Sequence, residues 1–226
     1  MIIAENSKVI QDQGNEQLIS VSYGDTISLT GSKTVRIKNS GQKFLRINSF
    51  FFDFLKGYNI PVGFQGLAEE KALLYPNHYR FPFCIKILNT VDKRMSKIFG
   101  KNEFEQLSIP VYELHYGTEK ENMITESHLV SLEICPVEDL KVMFRIASKI
   151  NVVLKSFFER RNSVLSEVKC FFGKQDERIF IIDDFTPQSI KVFAQDEEQK
   201  SINPYKLTNS ETIKNYIDYL LNFTTN

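Results

Sequence analysis

A lysine and an aspartate stand in two neighbouring β-type segments in the second half of the chain. The stretch from Val164 to Phe193 reads VLSEVKCFFGKQDERIFIIDDFTPQSIKVF, in which two apolar runs are joined by a charged turn. Lys169 falls inside the first run and Asp183 at the end of the second. A cation and a carboxylate on paired strands can hold the phosphates of a nucleotide and its magnesium ion, with Asp183 as the metal ligand.

Both residues also have a simpler structural interpretation. A lysine in an apolar strand is commonly an edge residue whose stem covers apolar surface while its ammonium group reaches water. Aspartates after an apolar run are commonly turn residues that end a strand. The chemical interpretation requires both side chains to face one cleft. One carboxylate is then enough for magnesium, because the nucleotide phosphates supply other ligands.

A second group of cations lies near the middle of the chain. Lys93 and Arg94 follow Asn89-Thr90, where an apolar strand is predicted to end and a short helix to begin. A helix N-terminus with two cations can bind an anion. A solvated basic helix face explains the same residues equally well.

Several other kinds of site have no signature in this sequence. The three histidines, His78, His115 and His128, have no metal-ligand spacing, and no HExxH, GxGxxG or Walker lysine motif occurs. The three cysteines lie far apart without a CxxC pair. This pattern indicates buried free thiols in a reducing compartment.

The composition is that of a globular protein with its own core. Apolar residues make up 42% and charged residues 25% of the chain, and the net charge is +0. Without a basic excess, nucleic acid is not an expected partner. No signal-peptide pattern begins the sequence and no apolar run reaches the ~20 residues of a membrane span, so we expect a cytoplasmic protein without a membrane partner.

Hydrophobic periodicity predicts helices and strands that do not alternate regularly. The strongest pattern is the helix 137–158, whose apolar residues recur at helical spacing after Pro136. Because the elements lack a βαβ rhythm, the predicted class is α+β with antiparallel sheets. The other predicted helices are 44–55, 91–99 and 210–223, and the predicted strands before the segment described above are 17–23, 34–38, 71–75, 81–88 and 111–116.

Taken in order along the chain, these elements resemble the SAICAR synthetases. That family consists of ATP-dependent ligases that join aspartate to a carboxy-aminoimidazole ribotide in purine synthesis. Its D-F-K-x-E-F-G signature is similar to Glu167–Gly173, and its D-E-x-S-P-D signature to Asp183–Gln188. A Pro-aromatic strand is matched by Pro110–Tyr116. The likeness runs from about Lys8 to Lys206.

The resemblance implies a fold, a division of the chain and a set of site residues. The fold would be SAICAR synthetase-like, with residues 1–79 covering a nucleotide and residues 80–226 carrying the nucleotide and acceptor sites on either side of an ATP cleft. ATP and Mg²⁺ would be the cofactors, a small carboxylate and an amine the substrates, and a homodimer the assembly. Lys169 and Asp183 would be catalytic, Lys8, Lys169 and Asp183 would bind ATP, and Asn89, Lys93, Arg94, Glu126, Ser127, Ser189 and Lys191 would bind substrate.

The chain also departs from the family pattern at charged positions. The acidic residue two after the motif lysine, a metal and nucleotide ligand in the family, is Phe171 here. The arginine that holds the ribotide phosphate is replaced by Leu88, while Arg94 stands at a family serine and Lys191 at the last motif arginine. The glycine and one lysine of the family's N-terminal G-K-A-K hairpin are missing at Asn6-Ser7-Lys8.

Two hypotheses follow from the likeness and the departures together. The first is a divergent ATP-dependent ligase that joins an altered carboxylate acceptor to an amine through an acyl phosphate. The cations at Arg94 and Lys191 favour it. The second is a noncatalytic pseudoenzyme that keeps the fold as a binding or regulatory module, and Phe171 and the missing glycine favour that interpretation.

Overall fold

The structure is a computed structural model that describes residues 8–12, 18–29, 33–69, 71–117, 122–183, 185–195 and 202–225. Its helices are α1 (Ser40–Gly57), α2 (Lys93–Phe99), α3 (Glu126–Ser131), α4 (Val137–Glu159) and α5 (Ser210–Asn222). Its strands are β1 (Lys8–Asp12), β2 (Leu18–Tyr23), β3 (Thr26–Leu29), β4 (Lys33–Arg36), β5 (Gly66–Ala68), β6 (Ala72–Pro76), β7 (Tyr79–Thr90), β8 (Gln106–Tyr116), β9 (Asn122–Ile124), β10 (Ser163–Gln175), β11 (Arg178–Ile182) and β12 (Ile190–Ala194).

Within these residues an antiparallel sheet of six strands contains β10 near its centre. The strand order is β11-β10-β7-β8-β9, and β12 pairs with the same edge of β10 as β11. Strand β12 covers the first half of β10 and β11 covers the second half. The chain between β11 and β12 therefore crosses the edge of β10 beside Lys169, whose backbone N–H donates to the carbonyl of Ser189 at 2.7 Å.

A smaller antiparallel sheet is built from the first part of the chain. Its order is β1-β2-β6-β5, and β3 and β4 form a separate hairpin. Helix α1 follows that hairpin and begins at Ser40, earlier than the predicted 44. The reason lies in Asp25, whose carboxylate accepts the backbone N–H groups of Asn39 and Gly41 at 3.0 and 3.1 Å. This remote aspartate caps a helix whose own N-cap side chain makes no capping bond.

Helices α1 and α4 supply most of the aromatic core between the sheets. Phe51, Phe157 and Phe158 are almost fully buried and contact one another edge-on or tilted. Helix α4 packs on β10, so the odd and even residues of that strand meet different surroundings. One cluster of buried apolar residues extends through the elements of both sheets. The core thus covers one face of the large sheet and leaves its other face for polar side chains.

The α+β class and the helices expected from periodicity are confirmed. Helix α4 spans Val137–Glu159 against the predicted 137–158, and α5 also lies where the sequence placed it. Strand β8 ends at the predicted 116 but begins at Gln106, five residues before the predicted start. Helix α2 is shorter than predicted because Asp92 accepts the backbone N–H of Met95 at 2.7 Å and caps the helix there. Strand β7 begins at Tyr79, where the division of the chain was placed; the division into 1–79 and 80–226 stays a prediction.

Candidate active site

A cavity of about 520 Å³ opens over the polar face of the large sheet. Its walls come from β7, α2, β10, β12 and the segment around Tyr205. The acidic lining residues are Asp92 and Glu167, and Gln188 and Tyr205 complete the polar lining. Six cationic side chains line it: Lys86, Lys93, Arg94, Lys97, Lys169 and Lys191. With six cations against two carboxylates, the cavity is suited to an anionic ligand, and we call it the basic pocket.

Strand alternation explains how lysines come to be buried here. Lys169 of β10 is paired with Lys86 of β7, and Lys86 is paired in turn with Glu113 of β8. Paired residues of neighbouring strands face the same side of a sheet, so these three form one row on the polar face. Their neighbours Ile85 and Val168 point to the opposite face and are fully buried in the core.

Glu113 binds the cations on one side of this row. Its carboxylate pairs with Arg94, lies 2.9 Å from Nε2 of His115 and lies 3.8 Å from Nζ of Lys86. The Glu113 side chain is only 5% exposed, so its charge is little screened by water. Glu113 therefore orients Arg94 and Lys86 toward the basic pocket.

Glu167 is the corresponding acid on β10. Its carboxylate lies 3.5 Å from Nζ of Lys86 and accepts a hydrogen bond from the Tyr205 hydroxyl at 3.4 Å. Burial, and then the charge of Glu167, raises the pKa of Tyr205 well above its usual value. The hydroxyl stays protonated at neutral pH and acts as a donor.

Two residues predicted to bind substrate, Ser189 and Lys191, lie in β12 and the turn before it. Lys191 lines the basic pocket, donates to the carbonyl of Pro187 and has its Nζ 5.8 Å from the ring centre of Tyr205. Ser189 is buried inside the turn, where its hydroxyl accepts the N–H of Thr186 at 3.0 Å. Ser189 therefore shapes the turn that carries Lys191 and is not itself a lining residue of the basic pocket.

Lys93 and Arg94 both reach the basic pocket from helix α2. The helix has seven residues, and the carboxylate of Asp92 already accepts a backbone N–H of its first turn. Any anion is therefore bound by the side chains rather than by the helix N-terminus. Arg94 is 44% exposed and also contacts the sulfur of Met123 on β9.

Besides Ser189, three more residues expected to bind substrate lie outside the lining of the basic pocket. Asn89 is buried on the core side of β7 and exchanges two hydrogen bonds with Asn151 of α4, at 2.8 and 2.9 Å. Glu126 and Ser127 are exposed in the first turn of α3, just after the strand that contains Met123. Lys8 begins β1, and its side chain lies outside the described part of the structure.

Asp183 lies in a different cavity from Lys169. This second cavity, of about 190 Å³, is lined by Ile19, Val21 and Tyr75 of the small sheet and by His78, Arg80, Ile182 and Asp183. The Tyr75 hydroxyl donates to the Asp183 carbonyl at 3.0 Å, and the residue has a left-handed φ of 77°. Lys169 and Asp183 thus line separate cavities among the described residues, and their sharing of one nucleotide cleft stays a prediction.

Phe171 and Arg80 occupy the sheet face between Lys169 and Asp183. Phe171 follows Lys169 by two residues on β10, and the Arg80 guanidinium lies 5.3 Å from the centre of its ring. The same guanidinium pairs with the Asp183 carboxylate, whose side chain is 1% exposed. A cation–π contact and an ion pair fix the guanidinium in place.

Among the described residues around Asp183, magnesium would meet a single carboxylate, and that carboxylate is already paired with Arg80. The Asp183 carboxylate is paired with a guanidinium, and the neighbouring strand position that could supply a second acid is Phe171. Among the residues that the structure describes, no group of three or more His, Cys, Asp and Glu side chains could hold a metal ion. Arg80 therefore competes with a metal ion for the carboxylate of Asp183.

The side chains that sequence reasoning missed are Lys86, Lys97, Glu113, Glu167, Tyr205 and Arg80. The sequence does indicate Lys86, because it lies two residues before Leu88 in the strand segment FCIKIL. Residues two apart in a strand face the same side of the sheet. Tyr205 had no such signal, since it reaches the basic pocket from a segment without regular structure.

In the described residues no helix combines the length and the apolar character that crossing a bilayer requires.

Known proteins resemble this chain in sequence over most of its length. A family model described as SAICAR synthetase matches residues 7–210. A phosphoribosylaminoimidazole-succinocarboxamide synthase of Clostridium novyi is 24% identical over 195 residues, covering 85% of this chain and 83% of that protein. The corresponding enzyme of Acinetobacter baumannii is 26% identical over 194 residues, covering 85% and 81%.

Solved structures of the same enzyme superpose on most of this chain. The phosphoribosylaminoimidazole-succinocarboxamide synthase of Ehrlichia chaffeensis has a TM-score of 0.84 at 21% identity and covers 97% of both chains. A SAICAR synthetase solved in complex with ADP has a TM-score of 0.84 at 20% identity and covers 98% of this chain and 97% of that one. At such identities the likeness establishes the fold.

Proposed function

Because this chain belongs to the SAICAR synthetase family, we propose that it is a divergent ATP-dependent ligase that forms an amide between a carboxylate and an amine. The family phosphorylates a carboxylate with ATP, and an amine then displaces the phosphate. The acceptor of this chain is a small anionic carboxylic acid other than the family's purine ribotide. The observation that supports this proposal best is the basic pocket.

The basic pocket has the charge that a phosphorylating site needs. Lys169, at the position of the family's motif lysine, is 92% buried on its wall, and Lys191 faces it from the next strand. Fixed cations in a partly dehydrated cavity stabilise the negative charge that develops on transferred phosphoryl oxygens. We assign Lys169 to the phosphoryl group and Arg94, Lys93 and Lys191 to the acceptor.

The altered acceptor is inferred from Leu88. This side chain is fully buried and packs in a small apolar cluster with Val91 and Met95. It offers no donor at the position where the family places a phosphate-binding arginine. Arg94 stands at another backbone position and cannot place its guanidinium where the family arginine lies. The anionic group of the ligand must therefore lie at a different point.

The assignment of the nucleotide combines both cavities. ATP is the expected cosubstrate, and a related structure was solved with ADP. We place its phosphates toward Lys169, with Lys8 and the Asp183 region on the side of the small sheet. Magnesium is expected to accompany the nucleotide only where Arg80 is displaced from Asp183. The remaining expectations of a homodimer, a cytoplasmic location and substrate roles for Asn89, Glu126 and Ser127 stay part of the proposal.

The decisive experiment is a coupled assay of ADP release. Purified protein, ATP and magnesium are incubated with the purine ribotide and with a panel of small carboxylic acids, each with aspartate and other amines. We expect ADP and an amide product with at least one acid of the panel, and Lys169→Met should abolish both. Turnover of the ribotide at ordinary enzyme rates would contradict the altered acceptor.

The pseudoenzyme is the second candidate, and one specific observation favours it. The ion pair of Arg80 with Asp183, packed on Phe171, replaces two acidic ligands by a neutralised carboxylate and a ring. Calorimetry with ATP separates the two functions. If no heat of binding is detected at millimolar ATP, with or without magnesium, the ligase proposal fails and the pseudoenzyme remains.

A further inference from the structure

Two lysines face each other on the wall of the basic pocket. Lys86 and Lys169 are directly paired across β7 and β10, and both side chains line the cavity. Lys169 is 8% exposed, and the Lys86 side chain is 14% exposed. Like charges directly opposite on a sheet repel each other, and the repulsion grows as water is removed. Negative charge nearby stabilises a pair of lysines placed in this way.

The protein supplies that charge to Lys86 from one side. Nζ of Lys86 lies 3.5 Å from the carboxylate of Glu167 and 3.8 Å from that of Glu113. These distances hold the ammonium group in place and leave it facing the cavity. The cavity itself provides the space from which an anion can contact both lysines.

We propose that Lys86 and Lys169 together form a subsite for one phosphate group. Lysine is a point charge that binds phosphate without the planar geometry that arginine requires, so two lysines can share a dianion. Glu113 is a positioning residue of this subsite, because it orients Lys86 and Arg94 without reaching the cavity itself. The proposal rests on the proposed function only for the use to which the phosphate is put.

The position of the subsite describes the ligand further. Lys86 precedes Leu88 by two residues on β7, a displacement of about 6.6 Å along the strand. It is also opposite Lys169, whereas Leu88 is opposite Glu167. Leu88 replaces the family arginine, and Lys86 instead places a cation closer to the motif lysine, Lys169. An acceptor whose phosphate binds there must be more compact between its phosphate and its reacting carboxylate.

Inorganic phosphate is the probe, titrated calorimetrically into the full-length protein without nucleotide. Lys86→Met and Lys169→Met should each weaken phosphate binding about tenfold or more, the scale of one charge-assisted hydrogen bond. The double variant should bind phosphate more weakly than either single one, because both side chains contribute to binding the same ion. Lys71→Met is the matched control, since Lys71 is 82% exposed beside the small sheet, and it should bind as the parent does.

Unchanged binding in Lys86→Met, a double variant that binds as Lys169→Met does, or no phosphate binding to the parent protein would each overturn the proposal. Glu113→Gln should weaken binding less than Lys86→Met, and Lys86→Arg should restore most of it. If Lys86→Met does not fold, Lys169→Met and Glu113→Gln serve instead, and unchanged binding in both overturns the proposal.

A second titration in saturating ADP distinguishes the source of the phosphate. Binding that persists with ADP assigns the subsite to the acceptor or to the terminal phosphoryl group of ATP, and an added acid that competes with phosphate selects the acceptor. If ADP abolishes phosphate binding, the subsite belongs to the diphosphate of the nucleotide. That result would overturn the inference of a more compact acceptor. Because no turnover is measured, failure of the ligase assay leaves the subsite testable.

Discussion

The guanidinium of Arg80 lies 2.5 Å from the carboxylate of Asp183, in a pair whose acidic partner is almost wholly buried. The pair joins β7 to the end of β11 and lies against the ring of Phe171. Breaking a buried pair from one side leaves an uncompensated charge, so each partner depends on the other. We infer that this pair governs the proposed binding of magnesium with the nucleotide.

Arg80 is expected to make ATP binding insensitive to magnesium. In the parent protein the Kd for ATP should change less than about threefold, under 1 kcal/mol, between magnesium and EDTA. In Arg80→Ala the freed carboxylate of Asp183 should make magnesium tighten binding, and Arg80→Ala/Asp183→Asn should lose that gain. Calorimetry of the variants in both buffers measures this, with Arg178→Ala as the control. Strong magnesium dependence in the parent would show that Arg80 leaves Asp183 on binding.

Arg94 is expected to contribute to acceptor binding. Its loss removes a charge-assisted hydrogen bond, so Arg94→Ala should raise KM for the active acid of the panel by about 30-fold, or about 2 kcal/mol. Lys191→Ala should have a smaller effect because lysine acts as a point charge. Steady-state kinetics with Lys101→Ala as the control measures both. An Arg94→Ala enzyme with the parent KM would place the acceptor elsewhere.

Asn89 is expected to act on stability because of its contacts with Asn151. Asn89→Ala leaves the buried amide of Asn151 without its two partners, which should cost about 2 kcal/mol of the free energy of unfolding. Urea unfolding of Asn89→Ala, Asn151→Ala and the double variant should reveal strong coupling. If Asn89→Ala instead raises KM and unfolds like the parent, Asn89 binds substrate as the family likeness implies.

Asp25 is expected to stabilise the protein in a way that depends on pH. Hydrogen bonds from the N–H of Gly41 and then Asn39 hold the pKa of its carboxyl below the usual value. A folded-state pKa below the unfolded value of about 3.9 means that the contribution is complete above that pH and is lost as pH falls through the folded pKa.

The corresponding measurement compares Asp25→Ala with the parent by urea unfolding. At pH 7 the variant should be less stable by about 1 kcal/mol, the usual effect of losing a helix cap, and the difference should shrink near pH 2. Asp53→Ala, which loses only an exposed pair with Lys56, should behave like the parent. A difference that stays constant down to pH 2 would exclude the charge of Asp25 as its cause.

The sequence alone indicated the class of this fold and most of its longer elements. Helix α4 and strand β10 follow from local periodicity, because a helix or strand must turn its apolar residues to one side. The order of weak motifs then indicated the family. The positions of Lys169, Lys191 and Arg94 on one cavity were also within reach, since they follow from motifs placed on predicted elements.

Only the tertiary structure decided which side chains meet. The pairing of Lys86 with Lys169, and the contact of Arg80 with Asp183 over Phe171, join residues far apart in the chain, and local sequence does not encode strand register. For the same reason the sequence could not reveal that the amide of Asn89 lies against Asn151 in the core. Burial and strand register are set by packing of the whole chain. They determine which side chains can contact a ligand and which stabilise the fold.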